Sequence, residues 1–205
     1  MRRAISPMTS STRSVRRAGF TLIELMVVVA LISIMLVIAV PSFASFISNY
    51  RVTGATNDFL QGITLTRTEA LKRSRRVLML PRDATGAPSA TGNWKNGWAI
   101  FAHTGVPTIA YNAATDTIIF QHDSLPVSIV VTDSGGGSFP FQDGASQTYV
   151  SFDGTGYARQ QNGQFLAGSI VLTETTVSPP NIRTLCLASF GRPRIVVGTP
   201  GCASG

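Results

Sequence analysis

Gly19-Phe20-Thr21-Leu22-Ile23-Glu24 (GFTLIE) runs straight into residues 25–40 (LMVVVALISIMLVIAV), and the fold turns on how that junction is read. No residue from Leu25 to Tyr50 carries a charge. A nearly continuous apolar run of this kind is the pattern of a segment that leaves water for lipid. Upstream lie Arg2, Arg3, Arg13, Arg16 and Arg17. The positive-inside bias keeps these arginines cytoplasmic and sends the chain after about Asn49 outward.

One reading of the junction is a secretory signal peptide, with a small-x-small site at Ser42, Phe43 and Ala44. Cleavage after Ala44 would release a soluble, β-rich binding domain beginning at Ser45. Against it, the apolar run is long for such a signal, and Glu24 sits just inside its start. An unpaired carboxylate at the bilayer centre costs about 2.5 to 3.5 kcal/mol on insertion scales, so an acid here requires a partner or a function. A signal peptide supplies neither.

The GFTLIE junction followed by the apolar run resembles the class III leader junction of type IV pilins and type II secretion pseudopilins. The resemblance implies cleavage after Gly19 by a prepilin peptidase on the cytoplasmic face, N-methylation of the new terminus at Phe20, and retention of the helix in the bacterial inner membrane. It also implies that Glu24 pairs with the terminal amine of a neighbouring subunit. A charge that is costly alone then sets register, because a subunit docked out of step leaves it unpaired. Pro41 stands where pilins often carry a proline, and it is expected to kink or locally melt the helix.

Beyond Pro41 the apolar residues become one-sided: Phe43, Phe46, Ile47 and Tyr50, then Phe59, Leu60, Ile63, Ala70 and Leu71 recur at helical spacing. An unbroken helix from Phe20 to about Ser74 would reach roughly 80 Å at 1.5 Å per residue, with Gly54 and Gly62 as weak points. After Pro81 the period changes. Short β-rich runs follow at 77–80, 98–102, 117–121, 127–131, 148–152, 169–172, 185–189 and 194–197, separated by Gly, Pro, Asn and Asp. A helix followed by antiparallel strands predicts an α+β fold, with a sheet or sandwich packed on the second half of the helix. The expected division is a leader at 1–19, a transmembrane and filament-core helix at 20–48, an amphipathic continuation at 49–76 and a periplasmic β-rich domain at 77–205.

The formal charge of +7 belongs largely to the leader. Without its five arginines, twelve basic residues face ten acidic ones, so the remainder carries about +2. Two local basic clusters persist, 67–82 and 183–194. In the first, Arg67, Lys72, Arg73, Arg75, Arg76 and Arg82 read as a solvated helix end complementing the C-terminal dipole, with Glu69 placed to pair with Arg73, or else as a contact for an acidic partner.

The stretch Arg67-Thr68-Glu69-Ala70-Leu71-Lys72-Arg73, then Val77, Trp94 and Gly97-Trp98, is similar to the GspH/FimT subfamily of low-abundance subunits. In the second cluster, Gly191-Arg192-Pro193-Arg194 resembles the GRxR element near the C-terminus of FimT-type subunits linked to DNA uptake. Arg192 and Arg194 on a hairpin turn, with Arg183 on the preceding strand, would give weak, sequence-independent, salt-sensitive contact with DNA phosphates. The competing reading is a turn kept soluble by charge, because arginines without an aromatic platform make a thin footprint.

Cys186 and Cys202 are the only cysteines, and a disulfide is the simplest reading, which places the domain in an oxidising compartment. Its loop entropy would contribute roughly 3 kcal/mol. If the hairpin turns at Phe190-Gly191, the residue opposite Cys186 is near Ile195, so the tail must fold back at Pro200-Gly201 for Cys202 to reach it. His103 and His122 have no catalytic or metal-binding context, and Asp133-Ser134-Gly135-Gly136-Gly137-Ser138 reads as a mobile loop with no phosphate-cradle signature. Trp94 and Trp98 read as packing residues. No catalytic residue, metal or cofactor is expected. The implied partners are other pilins or pseudopilins, the peptidase, the membrane and DNA. Three roles stay open: priming or capping a pilus, serving as the H-type pseudopilin of secretion, or presenting arginines to DNA.

Overall fold

The structure, a computed structural model, describes residues 19–104, 108–133, 148–198 and 201–202, the side chains of Val40, Pro41 and Asp133 excepted. The chain divides into two compact units, Met1–Ser42 and Phe43–Gly205, and α1 (Leu22–Arg73) contributes to both.

In the first unit, Thr21 caps the start of α1. Its Oγ1 accepts the Glu24 N–H at 3.2 Å, and its carbonyl accepts the Leu25 N–H at 3.2 Å, meeting donor needs that a helix start leaves open. Ser33 donates its hydroxyl to the Val29 carbonyl at 2.8 Å, so this polar group within the apolar run is satisfied inside the helix. α1 includes Pro41. A proline removes one helical donor, and the turns on either side carry the helix past it.

In the second unit, α1 buries a stripe made of Val52, Ala55, Thr56, Phe59, Ile63, Thr66 and Ala70. The intervals of three and four keep these residues on one face. The two threonines are accommodated because Thr56 donates to the Val52 carbonyl at 2.6 Å and Thr66 to the Gly62 carbonyl at 2.7 Å. Phe43, Phe46 and Tyr50, expected on this stripe, are 65%, 66% and 73% exposed instead, and Ser48 is the buried residue of that turn. The covered face begins only where the sheets reach the helix.

Two antiparallel sheets cover the stripe. One has the order β3 (Thr117–His122), β2 (Asn93–Ala102), β1 (Val77–Arg82), β5 (Val150–Phe152), and the other β4 (Ile129–Asp133), β6 (Gly168–Glu174), β7 (Asn181–Leu187), β8 (Pro193–Val197). The α+β arrangement of one long helix on antiparallel sheets is therefore present, with two four-stranded sheets sharing one core. β1 is buried from Val77 to Pro81 because both of its faces are covered. Met79, cross-strand from Ile100, faces the helix at Gly62, while Leu78 pairs with Phe101, whose ring meets Tyr111 at 5.1 Å on the other side.

Trp98 lies between Phe59 at 4.2 Å and the His122 ring at 4.0 Å, and Trp94 meets Phe59 at 5.6 Å, so both tryptophans are packing residues. Gly97 holds a φ of 89°, and a Cβ there would collide with the carbonyls of His122 and Asp123. This is why glycine precedes Trp98.

The β7–β8 hairpin turns over 188–192, where the Ala188 N–H donates to the Arg192 carbonyl at 3.1 Å. The residue opposite Cys186 is therefore Arg194, one position from the expected Ile195. Gly191, at a φ of 75°, supplies the turn its left-handed residue. Cys186 is nevertheless bridged to Cys202 with a Cα separation of 5.9 Å. Residues 134–147 and 199–200, which hold most of the glycine-rich loop and the proposed bend at Pro200, lie outside the described residues.

Gly62 is a contact, not a weak point: a Cβ there would sit 2.9 Å from Trp98 Nε1 and 3.1 Å from Met79 Cε. Gly54 has nothing within 4 Å of the same position. Gly54→Ala is expected to stabilise the chain by about 0.5–1 kcal/mol, as helix propensity dictates. Gly62→Ala should destabilise it by about 1–3 kcal/mol, because the tryptophan cannot step aside. Thermal unfolding of the two variants checks this, and opposite signs are the expected outcome.

Candidate assembly site

Every large apolar side chain from Leu22 to Ile38 is exposed, and Phe20 is 87% exposed. The helix that carries them is long and apolar enough to cross a membrane, with a mean hydropathy of 3.0 over its most apolar window. Gly19 and Phe20 are exposed and precede the helix, so the peptide bond between them is accessible. Glu24 stands in the first turn, where the positive end of the helix dipole favours a carboxylate. Among the described residues the ion pairs all lie elsewhere, in the second unit.

A polar clamp holds the emerging helix to the second sheet. Asn181 Nδ2 donates to Ser48 Oγ at 2.8 Å, and Arg183 Nη2 donates to Asn49 Oδ1 at 2.8 Å, so two consecutive helix residues are tied to the start of β7. Beneath them Glu174 is fully buried, accepting from the Thr176 N–H and hydroxyl at 3.1 Å each. Ser48 and Ser128 also hydrogen bond to its carboxylate. Burial alone would raise the Glu174 carboxyl; the hydrogen bonds from Thr176, Ser128 and Ser48 outweigh it and hold the group below its ordinary value of 4.5. The sequence reading passed over this cluster. Its signal was a polar Ser48-Asn49 pair between aromatic residues and a single acid, Glu174, in an otherwise apolar strand.

The arginines sort by strand parity. Arg183 shares its face with Leu185 and Leu187, which are in the core, and it is taken up by Asn49. Arg194 is cross-strand from Cys186 and points to the opposite face. Arg192 and Arg194 are exposed together at the turn and the start of β8; Arg183 does not join them. In the first basic cluster, Arg67 donates to the Gly191 carbonyl at 3.2 Å, Arg76 to the Gln160 carbonyl at 3.0 Å and Arg82 to the Gly86 carbonyl at 2.7 Å. Arg73 pairs with Glu69 at 2.7 Å at the expected spacing. These residues bind the fold together, and burial holds Arg76 below its ordinary range. The histidines also act within the fold: His103 lies 3.0 Å from Asp116, whose carboxylate gathers the N–H groups of Thr104 and Asn112, and His122 stacks on Trp98.

Residues 15–40 match the prokaryotic N-terminal methylation motif, and residues 55–200 match the family described as type II transport protein GspH. The chain belongs to the GspH family. No curated protein matches its sequence. Among solved structures, the GspH-family chain is similar to the type IV minor pilin FimU of Pseudomonas aeruginosa in two crystal forms. The identities are 13% and 12%, covering 76% and 70% of this chain and 93% and 91% of that one, with TM-scores of 0.49 and 0.47. Family, motif and bare apolar helix make this a pilin-like or pseudopilin-like structural subunit, of a family whose members assemble with other pilins, with one helix of the membrane-crossing kind.

The clamp gives this GspH-family chain a pH dependence of defined sign. A carboxyl lowered on folding contributes stability above its unfolded value and loses it as pH falls through the folded one. Unfolding free energy is expected to be level above about pH 5 and to decline below 4.5. Glu174→Gln should lower the plateau and make the acid decline shallower, while Glu69 and Asp153, also held low by their partners, keep part of the slope. Denaturant titrations at a series of pH values measure it. Superimposable acid limbs for the two proteins would remove Glu174 from the account.

Proposed function

We propose that the chain is a non-enzymatic minor pilin of the FimT/FimU type, made as a single-pass inner-membrane protein with its globular domain in the periplasm. On this reading a prepilin peptidase cuts after Gly19, Phe20 is methylated, and the helix is retained to pack the subunit into a filament. The observation that carries the reading is the bare apolar helix with one acid in its first turn. Such a surface needs lipid or other helices as cover. Glu24 then decides register, because leaving it unpaired in an apolar bundle costs about 2.5 to 3.5 kcal/mol, roughly a hundredfold against a misdocked subunit. Pro41 is assigned a bend that adapts the helix to its neighbours.

Mass spectrometry of the mature N-terminus tests the processing: methylated Phe20 is expected, and a chain beginning at Ser45 would mean release by signal peptidase instead. Glu24→Leu is expected to be cut and methylated normally and to fail to enter filaments. Normal incorporation of that variant would end the register argument.

The exposure of Arg192 and Arg194 favours a pilus subunit that touches DNA over a secretion pseudopilin. Two phosphate contacts give weak binding that falls with salt. In gel shifts with the full chain in non-ionic detergent, Arg192→Ala with Arg194→Ala should abolish most of the shift, and raising salt from about 50 to 200 mM should weaken the parent roughly tenfold. A shift indifferent to both changes would remove the DNA contact.

A further inference from the structure

The two basic clusters, more than a hundred residues apart in sequence, meet at one end of the second unit. Arg67 Nη1 holds the Gly191 carbonyl, and the 188–192 turn is seated so closely that a Cβ on Gly191 would lie 2.7 Å from the Phe152 ring and 2.8 Å from the Gly156 carbonyl. Beside it, Asp153 gathers its own turn, accepting from the Thr155 N–H at 2.9 Å and the Tyr157 N–H at 3.1 Å, and fixes Arg159 Nε at 3.0 Å.

This arrangement assembles an exposed aromatic group that the linear sequence conceals. Tyr157 meets Phe165 at 5.8 Å and Phe190 at 6.3 Å, and the three are 39%, 50% and 64% exposed. Arg159 lies 4.1 Å from the Phe165 ring centroid, and Arg192 follows Phe190 by two residues in the same turn. The surroundings are cationic. Arg67, Arg76 and Arg159 lie at this end, taken up by the Gly191 and Gln160 carbonyls and by Asp153, and Arg192 is exposed on the turn beside Phe190.

Exposed aromatic faces beside arginines suit a polyanion with accessible flat rings. We propose that this surface binds single-stranded nucleic acid, with a base stacking on Phe190 while Arg192 takes the phosphates; Phe165 is itself covered by the Arg159 guanidinium and serves to hold the group together. The proposal rests on the DNA-contacting reading of Arg192 and deepens it. A duplex hides its base faces, so arginine contacts alone would treat both forms similarly, whereas stacking favours unpaired bases.

The test uses the full chain in non-ionic detergent and fluorescence anisotropy of a labelled oligothymidylate and a duplex of equal length. The single strand is expected to bind roughly tenfold more tightly than the duplex, consistent with one stacked base. Phe190→Ala should lose roughly tenfold on the single strand and little on the duplex, and Phe190→Trp should restore it. Arg192→Ala should weaken both. Phe190 is largely exposed, so its variants are expected to keep the parent melting temperature. Equal affinity for the two forms with Phe190→Ala indifferent overturns the stacking platform and leaves the phosphate contacts standing. Binding to neither form at low salt overturns both readings. Displacement by heparin as effective as by the oligonucleotide, again with Phe190→Ala indifferent, identifies a general polyanion surface and also overturns the proposal.

Discussion

Phe59 against Trp98, at 4.2 Å, is the contact on which the second unit depends. It lies where the helical stripe meets the first sheet, and three separate demands converge on it. Gly62 must lack a side chain to admit the tryptophan, Gly97 must adopt a left-handed conformation to place it, and His122 closes its far face. An indole enclosed in this way fixes the helix both along its axis and about it, because close-packed interiors accept few alternative seatings. The sheets then follow the helix, and α1 lies in the same core as both.

The second sheet is held differently. At Ser48 and Asn49 the contact is polar, with Asn181, Arg183 and the buried Glu174 providing directional bonds where the stripe has run out of large apolar groups. Apolar packing tolerates small slides, whereas a buried hydrogen-bond network loses partners at once when it moves. Phe43 and Phe46 just before the clamp and Tyr50 just after it remain uncovered.

Much of this was legible in the sequence. The apolar run, the acid at its start, the change from helical to β-rich patterning and all eight strands were visible, because period and composition are local properties. Errors clustered where a residue's role depends on what lies opposite. The aromatic residues after Pro41 carry helical spacing and still face outward, since spacing says that a face exists and not how far its cover extends. The helix ends at Arg73 without a glycine signal, because Ser74 itself adopts a φ of 50° and the Arg75 N–H closes onto the Ala70 carbonyl. The hairpin register missed by one residue, and in a strand one residue reverses which side chains share a face.

The candidate site divides along the same line. Gly19, Phe20 and Glu24 are adjacent in the chain, so their chemistry can be read from the linear order alone. The sequence by itself therefore determined the fold class, the membrane-type helix and the match to the N-terminal methylation motif. Tertiary structure alone decided that Arg183 belongs to the clamp and Arg192 and Arg194 to the surface, that the first basic cluster binds its own fold, and that Tyr157, Phe165 and Phe190 come together. The physical reason is that a side chain's partners across a sheet are set by register and turn length. Those quantities emerge only when the whole core packs.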